Sequence, residues 1–72
     1  MNILVFKTDI RSPQKVRLVG PVFRGHPSII DWSVDIEDID HVLRIVTLGT
    51  IRESDIIRLV KKCGFRCEIL DD

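Results

Sequence analysis

The chain has 72 residues, 44% hydrophobic and 31% charged, with eleven basic and eleven acidic side chains and a formal net charge of zero. A chain of this length buries only about 60% of the surface its unfolded form exposes, so residues 1–72 are expected to form a single domain of two layers with a thin core. The apolar content excludes a disordered chain, and the lack of a basic excess, with Phe23 the only aromatic in the basic stretch, disfavours a nucleic-acid partner.

The opening run Met1-Asn2-Ile3-Leu4-Val5-Phe6-Lys7 has no basic segment before it and is too short for a signal peptide or a membrane span. A cytoplasmic location with no membrane partner is the expectation. Two cysteines, Cys63 and Cys67, are too few and too close for a disulfide framework, which points to a reducing compartment. Charge is segregated along the chain. Every charge from Ile10 to Ile30 is basic and every charge from Asp31 to Asp40 is acidic, a pattern that reads first as two solvated faces.

Asn2 to Thr8 reads as a strand with apolar residues on both faces, Leu4 and Phe6 against Ile3 and Val5, and so as a central strand. Ser12 followed by Pro13 is a helix start: the hydroxyl accepts a free backbone N–H, and proline fits the first helical position, where no N–H is needed. The helix is expected to run to about Arg24, burying Val16, Val19, Val22 and Phe23. Pro21 in its interior should kink or fray it, and Gly25-His26-Pro27 should stop it.

Strict alternation follows, with Ile30, Trp32, Val34 and Ile36 inward and Asp31, Ser33, Asp35 and Glu37 outward, so that Trp32 packs in the core. Glu37-Asp38-Ile39-Asp40 makes a turn. It lacks the glycine and the distal glutamate of a calcium loop. Val42 to Leu48 returns with Leu43, Ile45 and Thr47 inward. Thr50 and Glu53 have the spacing of a capping box for a second helix reaching Cys63, with Ile56, Ile57, Val60 and Cys63 as its buried stripe. Gly64 suits the left-handed position after that helix, and Phe65, Cys67 and Ile69 should alternate inward along a last strand. The order strand, helix, strand, strand, helix, strand predicts an α+β, ferredoxin-like βαββαβ sandwich: a four-stranded antiparallel sheet, first and third strands central, with both helices on one face.

The segments Phe6-Lys7-Thr8-Asp9-Ile10, Val16, Val19 and Pro21, Trp32-Ser33-Val34-Asp35, Asp40-His41-Val42-Leu43 and Lys62-Cys63-Gly64-Phe65 carry a resemblance that spans nearly the whole chain. The chain resembles the heavy-metal-associated domain family of copper and zinc chaperones and transport-ATPase amino-terminal domains, in particular a bacterial branch with proline in the first helix. The resemblance implies a soft-metal site of two cysteines in a Cys-x-x-Cys pair on the first strand-to-helix loop, since two thiolates there reach one Cu(I) or Zn(II) ion. A gap-free match places Ser12 and Lys15 at the two cysteine positions. The implied function is therefore a metallochaperone-like domain that has lost its dithiol, with no cofactor and no tight metal binding, acting as a protein-interaction or accessory module toward a protein partner or a further copy of itself.

Two surfaces are candidates for that interaction. One is the loop, with Asp9, Arg11, Ser12, Gln14, Lys15 and Phe65. The other is the sheet face turned away from the helices, where Ile3, Val5, Val46, Leu48 and Leu70 should form an apolar patch. Alternative readings are a relocated soft-metal site at Cys63 and Cys67, against their packing as small buried core residues, and weak sensing of a small anion at the first helix start with Arg11 and Lys15. His26, at a helix end, and His41, in a turn at the end opposite the loop, read as surface histidines. Arg11 after the first strand invites comparison with acylphosphatase, but the only asparagine is Asn2 and no nucleophile, base and orienting group are assembled, so no enzyme is expected.

Overall fold

A computed structural model describes residues 1–49 and 51–70. The elements are β1 (Asn2–Thr8), α1 (Pro13–Arg24), β2 (Ile29–Asp35), β3 (Val42–Thr47), α2 (Glu53–Lys62) and β4 (Cys67–Ile69). They form one four-stranded antiparallel sheet in the order β2-β3-β1-β4, so β1 and β3 are central as expected.

The register explains the core. Leu4 faces Ile45 and Phe6 faces Leu43 across β1 and β3, which sets Phe6, Leu43, Ile45 and Thr47 on one side of the sheet. Val19 and Phe23 of α1 and Ile56 and Val60 of α2 close over that side, all at 0–1% exposure. Both helices therefore lie on one face, and each such buried side chain contributes about 1.5–3 kcal/mol relative to exposure. Val16, Ile57 and Cys63 are half-buried against this cluster. Thr47 Oγ1, also buried, has no hydrogen-bond partner among the described residues.

Helix α1 begins at Pro13 with Ser12 as its cap and ends at Arg24, and Pro21 does not fray it: the Pro21 carbonyl still accepts the Gly25 N–H at 3.0 Å. The Phe23 and Trp32 rings meet at 5.2 Å and 57°, and this contact holds the helix to β2. Gly20 permits it, because a Cβ there would lie 3.2 Å from Trp32 Cζ2.

Several expectations are corrected. Ile30 is not inward but 50% exposed, because β2 carries one extra residue between Ile29, which pairs with Thr47, and Asp31, which pairs with Val46. Ile29 takes the core position instead. Ile36 is half-buried outside β2, and β3 ends at Thr47, one residue before Leu48. The capping box fell on Thr50, which lies outside the described residues. The cap is Arg52, whose N–H is taken by the Asp55 carboxylate at 2.8 Å, so α2 starts at Glu53. Gly64 has φ +90°, as its place after α2 requires. Ile69 shares the face of Phe6 yet is 47% exposed, since β4 is a sheet edge.

Candidate functional site

The β1–α1 loop is held by hydrogen bonds from three directions. Thr8, 6% exposed, donates its hydroxyl to the His41 carbonyl at 2.6 Å and accepts the Ile10 N–H at 3.2 Å. The Thr8 N–H reaches the Asp40 carbonyl at 3.1 Å. Asp9 Oδ1 accepts the Arg66 N–H at 2.8 Å, which ties the loop to the segment between α2 and β4. Ser12 Oγ accepts the Lys15 N–H at 3.3 Å and caps α1. Ile10, fully buried, plugs the loop into the core.

These bonds divide the loop residues by role. Asp9 and Ser12 spend their side chains on holding the loop, and Phe65 is half-buried against the core. Arg11, Gln14 and Lys15 point to solvent. The loop thus exposes two cations and an amide.

His41 corrects the sequence reading, which set it at the far end of the molecule. It follows the β2–β3 turn and adjoins Thr8, so it lies at the loop end. The antiparallel pairing of β1 with β3 already required this, because it sets the start of β3 beside the end of β1. With φ +45° it closes a turn in which Asp35 Oδ1 accepts the Glu37 and Asp38 N–H groups and Asp38 Oδ1 accepts the Asp40 N–H. The acidic cluster is thus a self-bonded turn. Between this turn and the loop lies a cleft of about 240 Å³ lined by Lys7, Arg11, His41 and Arg66 together with Asp9 and Glu68. Arg66 was missed in the sequence; its neighbour Phe65 was the only pointer to it. The cleft's charges nearly balance, and Lys7 additionally meets Asp40 at 3.6 Å.

The two cysteines differ from the expected pair of buried thiols. Cys67 is 3% exposed and packs beside Thr8 across β4 and β1, whereas Cys63 is only half-buried. Burial pushes the Cys67 thiol from 9.0 up to about 12; nearby Lys61 opposes the shift and Glu68 adds to it. Such a thiol is neutral and a poor ligand at ordinary pH. Among the described residues, no group of three or more His, Cys, Asp or Glu side chains could hold a metal ion. Also among them, no helix is long and apolar enough to cross a membrane.

On the sheet face away from the helices, Ile3 lies opposite Val46 and Val5 opposite Arg44, and the Leu70 N–H bonds to the Val5 carbonyl at 3.1 Å. Ile3 is 61% and Leu48 55% exposed; Val5, Val46 and Leu70 are half-buried.

No family model matches the chain, and no curated protein matches it in sequence. Solved structures do match in shape. A chain of the Atx1–Cu(I)–Ccc2a complex gives a TM-score of 0.85 at 14% identity, over 100% of this chain and 99% of that one. A copper-binding domain from a P-type ATPase gives 0.84 at 18% identity, over 99% and 96%. The Cu(I)-loaded first domain of the human copper chaperone for SOD1 gives 0.79 at 19% identity, over 93% and 89%.

The chain has the fold of heavy-metal-associated copper-binding domains. At these identities the likeness is one of fold, and the donor set has to be read from this chain alone. Its β1–α1 loop holds no cysteine: Ser12 is occupied as a cap and Lys15 carries a positive charge. Within the heavy-metal-associated fold, these side chains do not fit a soft cation.

Proposed function

We propose that this chain is a heavy-metal-associated domain, copper-chaperone-like and of a bacterial type, that has lost its dithiol site and serves as a cytoplasmic protein-interaction or accessory module with no catalytic activity. The observation that carries the reading is the state of the loop: hydrogen bonds hold it at Thr8, Asp9, Ile10 and Ser12, while the residues that the resemblance puts at the thiolate positions are a helix cap and a solvent-exposed cation. A loop held in place by hydrogen bonds and free of thiolate ligands is suited to docking. The similarity to a chain of the Atx1–Cu(I)–Ccc2a complex supports a protein partner. The alternative soft-metal site at Cys63 and Cys67 is disfavoured by the raised Cys67 pKa and the burial of its side chain.

The test is a competition titration against a Cu(I) chelator of four proteins: the unaltered chain, Ser12→Cys, Lys15→Cys and the double variant. The unaltered chain is expected not to compete, the single variants to compete weakly, and the double variant to take one ion per chain. A neighbouring helix amino terminus favours the thiolate form. Cysteine at position 12 gives up the hydroxyl cap, at a cost of about 1 kcal/mol. Tight binding of one ion by the unaltered chain overturns the reading.

A further inference from the structure

The sheet has two edges, and they are unlike. β4 has three residues, whereas β2 has seven, with β3 on one side only. The Trp32 N–H bonds to Asp31 Oδ1 at 2.9 Å, so it turns away from β3. Backbone groups alternate along an antiparallel ladder, so those of Asp31, Ser33 and Asp35 serve β3 while the N–H and C=O groups of Trp32 and Val34 point outward. Among the described residues, no backbone group bonds to these outward ones. An open strand edge of this kind is a template for one more strand.

The side chains along this edge decide which strand fits. Asp31, Ser33 and Asp35 are exposed on the face away from the helices, and Trp32 and Val34 are half-buried on the helix face. In an antiparallel strand bonded to Trp32 and Val34, the residues opposite Asp31, Ser33 and Asp35 form non-hydrogen-bonded pairs, where side chains stand closest. Neither Asp31 nor Asp35 is in an ion pair among the described residues. Arg44, opposite Ser33 on β3, is the cation beside them, and Glu37 and Asp38 continue the acidic run into the turn, so the edge keeps an excess of negative charge.

We infer that the β2 edge takes up an extended protein segment as a further strand, one with Lys or Arg opposite Asp31 and Asp35 and apolar residues opposite Trp32 and Val34. Asp31 acts as a gate in this arrangement. Its carboxylate occupies the Trp32 N–H of the open edge, and charged side chains are a common guard of strand edges. A segment with a cation opposite Asp31 draws that carboxylate off and offers its own carbonyl to the N–H in exchange. A segment with a carboxylate there leaves the edge shut. The same charges oppose a second copy as occupant, since an antiparallel pair of β2 strands gathers Asp31 and Asp35 of both copies on one face. The apolar positions follow from Trp32 and Val34, whose exposed remainder inward-facing side chains of the added strand cover. The inference goes beyond the proposed function and uses none of the β1–α1 loop residues.

The test titrates the full chain with a capped synthetic peptide of seven residues, with Lys at its second and sixth positions, Val at its third and fifth, and Ser or Thr elsewhere. Amide NMR shifts should be largest at Trp32 and Val34, and exchange of the Val34 N–H should slow as the peptide saturates. A peptide with Glu in place of both Lys should bind at least about tenfold more weakly. So should the Lys peptide N-methylated at both Val residues, which keeps its charge but loses the N–H groups that reach the Trp32 and Val34 carbonyls; this separates strand pairing from general attraction of charge. Asp31→Asn with Asp35→Asn keeps the side-chain oxygens that serve the Trp32, Glu37 and Asp38 N–H groups, so Tm should hardly move while Lys-peptide binding weakens about tenfold. No binding of the Lys peptide at millimolar concentration, equal binding of the Lys and Glu peptides, indifference to N-methylation, or shifts centred on Arg11 and Lys15 in place of β2 would each overturn the inference. Self-association of the chain through β2 would overturn it as well.

Discussion

Cys67 sits opposite Thr8 at 3% exposure, and burial raises its thiol from 9.0 to about 12. The folded protein therefore holds a proton that the unfolded chain releases above pH 9.0. The stabilisation from keeping this thiol neutral is fully present below that pH and is lost as pH rises toward about 12. Within that window it declines by about 1.4 kcal/mol per pH unit. Cys67→Ala should lower stability by a constant amount through the space it leaves, and should remove this part of the alkaline decline. Urea unfolding of both proteins from pH 7 to 10.5 measures it; parallel stability curves would show that Cys67 does not titrate as its burial requires. At this scale the sequence was partly legible. Free cysteine is commonly buried, which fits Cys67, but Cys63 follows the last turn of α2, where the core thins and leaves it half-exposed.

The strand-helix order could be read because its boundary residues act locally: Ser12 caps α1, Pro13 needs no N–H, and Gly64 takes a positive φ. The bulge at Ile30 could not, since one added residue leaves the composition of β2 unchanged and shows only in its pairing with β3. The start of α2 was misread for a related reason. Arg52 is no capping side chain by type, and what fixes the start is its backbone N–H bonded to Asp55. Pro21 is the reverse case, a residue that local rules penalise and the element tolerates. Its ring removes the bond to the Arg17 carbonyl while Val19 and Phe23, fully buried around it, keep the helix docked. Pro21→Ala should therefore stabilise the protein by about 2 kcal/mol, the recovered helical bond and relieved strain exceeding the greater freedom of the unfolded chain. Gly20→Ala should show no such gain, because its Cβ would press on Trp32 at 3.2 Å. A urea midpoint for Pro21→Ala at or below that of the unaltered protein would mean that proline is already accommodated without cost.

Across the whole molecule the centre of the sheet and its β4 edge differ in how firmly they are held. β1 and β3 have paired neighbours on both sides, and their inward residues Phe6, Leu43 and Ile45 are fully buried. β4 has three residues, lies at an edge, and exposes Glu68 and nearly half of Ile69. Opening β4 would break its ladder to β1, including the bond from the Leu70 N–H to the Val5 carbonyl, without disturbing Ile56 and Val60 of α2 in the core. The Arg66 N–H bonded to Asp9 belongs to the same short segment, so the bond that steadies the β1–α1 loop should open with β4 and not with the whole protein. Amide hydrogen exchange should then show Arg66 and Leu70 exchanging together, well before Leu4 and Ile45. Urea at low concentration should accelerate Leu4 and Ile45 more than Arg66 and Leu70, since global opening exposes more surface than local opening. If Arg66 and Leu70 are protected as strongly as Ile45, the edge is no separate unit. If they open early, the Arg66 tie to the loop opens on its own while Leu4 and Ile45 at the centre of the sheet stay closed.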